Sequence, residues 1–162
     1  MKCRSVRDRL FALAAIGSIL LADFYSKRWA IQRLINDQAV LDGIKGIFRF
    51  RFAWNTGVAF SFLSGRPGIV ITFTALILSA AALFLFLPQK EKLADRLCLA
   101  LIFAGGLGNL IDRILYGAVA DFIELTFMRF PVFNLADVCV VMGTFLFALR
   151  MLISDKKKGG VN

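Results

Sequence analysis

Between Pro67 and Pro88 the chain runs for twenty residues, Gly68 to Leu87, without one charged side chain. At the 1.5 Å rise of an α-helix such a stretch reaches about 30 Å, the thickness of a bilayer's hydrocarbon core. Pro67 suits a first helical turn, and Pro88 ends the span. Three further stretches are similar in length and character: about Leu10 to Trp29, about Leu97 to Tyr116 and about Pro131 to Met151. The pattern predicts an all-α membrane protein of four transmembrane helices, forming a single integral-membrane domain over residues 1–162. With 59% hydrophobic residues and a mean hydropathy of +0.73, the chain carries more apolar surface than a soluble domain of 162 residues can hide.

The first stretch follows Lys2, Arg4, Arg7 and Arg9, as a secretory signal does. Its helical pattern continues past Asp23 to Trp29, however, and no small-x-small cleavage site follows cleanly, so it reads as a retained span. The formal net charge of +9 comes from residues that flank apolar spans instead of lining one aromatic-studded surface, which argues against nucleic acid and for topology signals. Eleven Lys and Arg fall in the N-terminal arm, the connection from Pro88 to Arg96 and the tail from Arg150; nine fall on the other side, several of them far from a span end. By the positive-inside rule both termini are cytoplasmic.

The connection from about Ala30 to Pro67 is too long for a simple loop. In Phe48-Arg-Phe-Arg-Phe-Ala-Trp54 aromatic residues alternate with Arg49, Arg51 and Ala53, the period of a strand with one apolar face. A small extracytoplasmic antiparallel sheet between the first two helices is expected, its aromatic face turned to lipid or substrate. A mobile segment over any site at this end is expected, and residues about 30–46 and 125–130 carry no clear pattern of their own.

Histidine is absent, which removes the usual imidazole base and the commonest nitrogen ligand of zinc. Three scattered cysteines do not form a disulfide framework. Hydrolytic chemistry here falls to carboxylates, lysine or serine, with no metal and no cofactor expected.

Carboxylates are costly at membrane depth, by roughly 2.5–3.5 kcal/mol even on translocon scales, and so mark function. Asp23 and Lys27 lie four apart and share a helix face, as an ion pair would. Asn109 and Asp112 lie three apart beside Arg113 in a glycine-rich stretch, a pattern that stitches helices together. Asp95 reads as an ordinary charge of the cytoplasmic connection. Asn134 and Asp137 share a face at the start of the fourth span, and Asp121 comes from the preceding connection. A chain reversal bringing Asp121 to Asp137 makes a proton-sharing pair, one member a base on water and the other an acid on a carbonyl. The same groups suit a proton or cation relay, Lys27 with Ser61 or Ser64 suits a Ser-Lys hydrolase, and a scaffold needs no chemistry at all.

The set Asp23-x-x-x-Lys27, Asn55-Thr-Gly-Val-Ala-Phe-Ser61, Gly108-Asn-Leu-Ile-Asp-Arg113, Val119-Ala-Asp-Phe122 and Phe133-Asn-Leu-Ala-Asp137 resembles the lipoprotein signal peptidases, or signal peptidase II, over nearly the whole chain. That resemblance implies a bacterial inner-membrane aspartic protease with four helices and a small periplasmic β-cradle, active near the periplasmic face. It implies cleavage of the signal peptide from prolipoproteins carrying a diacylglyceryl group on the lipobox cysteine, and inhibition by globomycin. It makes Asp121 and Asp137 the catalytic dyad, Asn55, Asn109, Arg113 and Asn134 substrate-binding or dyad-supporting residues, and Asp23, Lys27 and Asp112 structural supports.

Overall fold

A computed structural model describes residues 2–35, 40–57, 66–86 and 93–159. Four long helices dominate it: α1 (Lys2–Ala30), α2 (Pro67–Phe86), α3 (Leu93–Tyr116) and α4 (Leu135–Gly159). Each contains a stretch long and apolar enough to cross a membrane: Val6–Ile35, where α1 runs on into a π-helical turn, then Pro67–Phe86, Leu93–Tyr116 and Leu135–Ile153. Large apolar side chains cover their outer faces, among them Phe73, Leu76, Ile77, Phe145 and Leu152, each more than 60% exposed, as lipid-facing helices require.

Helix α3 is the hub, packed against α4, α1 and α2. Its glycines make this possible. A Cβ at Gly105 would collide with the Ala136 carbonyl oxygen of α4, and one at Gly108 would stand 2.5 Å from Asp23 Oδ2 of α1. Close approach between these helices therefore needs small residues at both points. Toward the cytoplasmic end expected from the charge pattern, Asp95 is in the first turn of α3 and not in a loop, and it accepts from Arg150 Nε of α4 at 2.6 Å. The neighbouring Arg96 is buried and donates to the Leu85 carbonyl oxygen at the end of α2.

Helix ends follow the sequence. Pro67 opens α2, with the Arg66 carbonyl oxygen accepting from Ile69 and Val70. Gly117, at φ +71, adopts the left-handed conformation that ends α3. The end expected at Pro88 lies outside the described residues, as do residues 36–39 of the first long connection.

The sheet has three strands in the order β1 (Leu41–Ile44), β2 (Phe48–Asn55) and β3 (Val119–Leu125), all antiparallel. The first two form a hairpin at Gly46, φ +81, between α1 and α2. The third comes from the α3–α4 connection, so what reads in sequence as a linker carrying Asp121 is a strand paired to β2. Asp121 sits opposite Ala53, next to an irregularity in the β2–β3 register between Phe50 and Ala53.

The aromatic face of β2 does not turn wholly to lipid or substrate, contrary to expectation. Phe50 and Phe52 pack on a buried cluster of Ala30, Leu34 and Phe122, and Trp29 meets Phe50 edge-on at 5.2 Å between ring centroids. The alternation thus reports a small core between the sheet and the end of α1. On the other face Arg49 and Arg51 pair with Glu124 of β3 at 2.5 and 3.0 Å.

Candidate active site

Asp23, Lys27, Asn55, Asn109, Asp112, Arg113, Asp121, Asn134 and Asp137 lie at the same end of the helices, where α1 and α3 finish, α4 begins and the sheet sits, and Asp95 lies at the other. Asp121 is on β3, with 1% of its surface exposed, and Asp137 is in the first turn of α4. Both line one cleft of about 700 Å³ whose walls come from β2 (Trp54, Asn55), α2 (Thr74), α3 (Gly106, Asn109, Arg113) and α4 (Val138, Met142). The cleft is polar at the carboxylates and apolar along α4 and the stretch from Phe130 to Phe133 that precedes it.

Three asparagines hold the two carboxylates. Asn134 Nδ2 donates to Asp121 Oδ1 at 2.7 Å, and Asn55 Nδ2 donates to Asp121 Oδ2 at 3.0 Å. Asn109 Nδ2 donates to Asp137 Oδ1 at 2.7 Å, and the Asn134 backbone N–H donates to Asp137 Oδ2 at 3.1 Å. Each amide is oriented by a second partner on its oxygen. Asn55 Oδ1 accepts from the Gly57 N–H, Asn109 Oδ1 from Lys27 Nζ and Asn134 Nδ2, and Asn134 Oδ1 from the Asp137 N–H. All three therefore turn N–H groups, not oxygens, toward the carboxylates. Among the described residues no group of three or more Asp, Glu or Cys is placed to hold a metal ion.

Burial, and next the charge of Asp137 nearby, push the Asp121 carboxyl up to about 7 from its ordinary 3.8. The amides of Asn55 and Asn134 and the Lys27 charge pull the other way and are outweighed. Losing hydration costs the charged form more than two neutral donors return. Asp121 thus keeps a proton close to neutral pH, while the Asp137 carboxylate stands in the same cleft.

Behind the pair lies an ion triad. Lys27 Nζ reaches Asp23 Oδ2 at 2.8 Å, Asp112 Oδ2 at 3.0 Å and Asn109 Oδ1 at 3.0 Å, so all three ammonium protons are engaged. Asp112 is paired with Lys27 of α1 and not with its neighbour Arg113, as sequence proximity had suggested. Asp23 accepts from the Ala136 N–H and Asp112 from the Ala120 N–H, each the residue just before one of the two cleft carboxylates. A lysine committed in this way has no lone pair for general-base work, which disfavours the Ser-Lys hydrolase. Ser61 and Ser64 lie outside the described residues.

Arg113 turns the other way, along the cleft wall. Its guanidinium donates to the Gly57 carbonyl oxygen at 2.7 Å and the Asn109 carbonyl oxygen at 3.2 Å, while Nε is buried without a hydrogen-bond partner among the described residues.

The structure brings all nine residues named from sequence to one end of the molecule. It adds some that pattern reading missed. Gly57 supplies backbone groups to Asn55 and Arg113, Glu124 ties β3 to β2, and Val138, Val141 and Met142 line the apolar wall. Val141 was recoverable, since it follows Asp137 at four positions and so shares its face of α4. Gly57 acts through its backbone and leaves no side-chain signal.

Residues 15–153 match the family model described as Signal peptidase (SPase) II. A lipoprotein signal peptidase of Clostridium acetobutylicum is 34% identical over 151 residues, covering 91% of this chain and 96% of the relative. One of Syntrophus aciditrophicus is 35% identical, covering 92% and 96%. A solved structure of a bacterial membrane enzyme superposes with a TM-score of 0.84 at 28% identity, over 91% of each chain.

Proposed function

This chain belongs to the signal peptidase II family, and from that premise we propose that it is a membrane-embedded aspartic endopeptidase acting on diacylglyceryl-modified prolipoproteins. It cuts on the N-terminal side of the lipidated cysteine and frees the signal peptide. The observation that carries the reading is the convergence of Asp121, from a strand, and Asp137, from a helix, on one cleft, with Asn134 hydrogen-bonded to both.

In the proposed reaction Asp121 holds a proton and polarises the scissile carbonyl, and Asp137 takes a proton from water as the water attacks. The tetrahedral intermediate then collapses, its amine leaving with a proton returned through the pair. Arg113, Asn55 and Asn109 line the path and position the peptide or support the pair. Asp23, Lys27 and Asp112 support the site from behind. The apolar wall of α4 and the stretch before it receives the acyl chains or the signal peptide, and membrane lipids surround the rest. The reaction needs no metal or cofactor, and globomycin-type inhibitors compete for the same cleft.

The charge pattern supports a multi-pass arrangement in the bacterial inner membrane with both termini cytoplasmic and the cleft near the periplasmic face. The position of the polar groups also bears on the transporter reading. A relay across the bilayer needs ionisable groups near the midplane, and here they collect at one end of the helices.

The test replaces Asp121 and Asp137 singly by Asn, then measures cleavage of a lipidated precursor and the yield of folded protein. Each variant is expected to fold and to lose cleavage almost completely. Near-parental cleavage by either sinks the assignment.

A further inference from the structure

We infer that Thr74 is a specificity-determining residue of the cleft: its hydroxyl donates to an ester carbonyl of the diacylglyceryl group, whose chains return to the bilayer through a slot between α2 and α4. The inference rests on the peptidase reading above and specifies which part of the substrate that slot receives.

The slot follows from how the helices pack. Both α2 and α4 lean on α3 and scarcely touch each other, so the cleft continues between them with α3 as its floor at Gly106. On the α4 side Val141 is 65% and Met142 is 47% exposed, which leaves the slot open toward lipid. A Cβ at Gly106 would meet Leu78 of α2, so these two positions are in contact. One turn nearer the outer end of α2, Thr74 comes level with Asn109, the residue that donates to Asp137. Thr74 thus faces the carboxylates across the cleft, from a helix that carries no charged side chain between Pro67 and Phe86.

Its hydroxyl has nothing else to bind. In apolar helices Ser and Thr turn back to the carbonyl oxygen one turn earlier, and Thr72 and Ser79 do so, onto Gly68 and Ala75 at 2.8 Å each. Thr74 makes no hydrogen bond among the described residues, although it lines the cleft. An unspent donor on an otherwise apolar helix favours a ligand that brings an acceptor into lipid. The helical part of a signal peptide brings none, because its carbonyl oxygens are already bonded within the helix. The glycerol esters bring two, a few single bonds beyond the cysteine sulfur. Their chains must pass from the carboxylates back to the bilayer, whereas the peptide after the cysteine leaves toward water.

The test compares purified full-length parent, Thr74→Val and Thr74→Ser on two synthetic lipopeptides of one sequence. One carries two acyl esters on its glycerol; the other carries two alkyl ethers, which lack the carbonyl oxygens. Valine keeps the shape of threonine and suits an apolar helix, so both variants are expected to fold with parental Tm, which is measured alongside. The parent is expected to favour the diester by about threefold to tenfold in kcat/KM, the scale of one neutral hydrogen bond. Thr74→Val is expected to lose that preference through a higher KM for the diester alone, with kcat held, and Thr74→Ser to retain it. A parent that treats the two lipids equally overturns the inference, as does a preference left intact in Thr74→Val. A fall for both lipids alike assigns the contact to the peptide and overturns it too. Asp121→Asn and Asp137→Asn on the diester keep the underlying reading separate. If those variants cleave, the dyad reading is wrong; if they are inactive and the parent shows no lipid preference, only the role of Thr74 is wrong.

Discussion

Asn134 and Asp137 cap each other: the Asp137 N–H donates to Asn134 Oδ1 at 2.9 Å, and the Asn134 N–H donates to Asp137 Oδ2 at 3.1 Å. This is a capping box at the start of α4, with an aspartate in the place usually taken by Glu or Gln. One proposed catalytic carboxylate is thereby also a helix cap. Its partner in the box turns its side-chain N–H groups to Asp121 and Asn109.

Cap and site are separable by substitution. Asn134→Ser retains an oxygen for the Asp137 N–H, so thermal unfolding is expected to stay within about 1 kcal/mol of the parent. The same change removes the donor to Asp121, and kcat is expected to fall at least about tenfold. Asn134→Ala loses both and is expected to show a lower Tm as well. Equal activity of the Ser and parent enzymes counts against the role given to Asn134.

The elevated Asp121 carboxyl sets two pH dependences with the same sign. Between the ordinary 3.8 and about 7, the folded chain binds a proton that the unfolded chain has released. Stability from this group is therefore complete below 3.8 and is lost as pH rises through about 7. On this account the parent loses roughly 2 kcal/mol between pH 5 and pH 8, and Asp121→Asn loses measurably less. Cleavage by the parent is expected to decline above about pH 7, as the acid of the proposed pair gives up its proton. Parallel Tm–pH curves for parent and variant would falsify the assignment of the shift to Asp121.

Gly108→Ala places a methyl carbon against Asp23 Oδ2. A destabilisation of about 1–3 kcal/mol is expected from overpacking at this helix contact, together with lost cleavage as the triad shifts. Gly17→Ala on α1, where a Cβ meets nothing within 4 Å, is the control. It is expected to be neutral or slightly stabilising by helix propensity. The comparison requires only thermal scans in one detergent.

Arg113→Lys preserves charge but loses the fork that spans the Gly57 and Asn109 carbonyl oxygens. Cleavage is expected to drop by at least about tenfold, with much of the loss in KM because the guanidinium orients peptide and loop together. A kcat effect alone would instead assign Arg113 to the chemical step.

What the sequence discloses depends on how local each determinant is. Apolar runs of helix length disclose the four spans, since a bilayer leaves the backbone no other way to satisfy itself. Spacings of three and four disclose Asp23 with Lys27 and Asn134 with Asp137, because one helix turn puts them together. The strand β3 stayed hidden: Val119-Ala-Asp-Phe122 is buried on both faces, so it lacks the alternation that reveals β2. The partner of Asp112 stayed hidden too, because Lys27 lies 85 positions away and only the packing of α1 on α3 brings it there. The same packing turned an aromatic stripe on β2 into an internal contact, since periodicity reports which residues share a face and not what covers it.

The sheet is completed by two segments that emerge far apart during synthesis. β2 is translated before α2 and α3, and β3 only after them; α4, with Asp137, comes last. A nascent chain holding three inserted helices already owns the Asp121 strand but has neither Asp137 nor Asn134 to set beside it. On the proposed dyad, proteolytic competence therefore arrives only with the final helix, and a chain stalled or truncated before that point is expected to be inert.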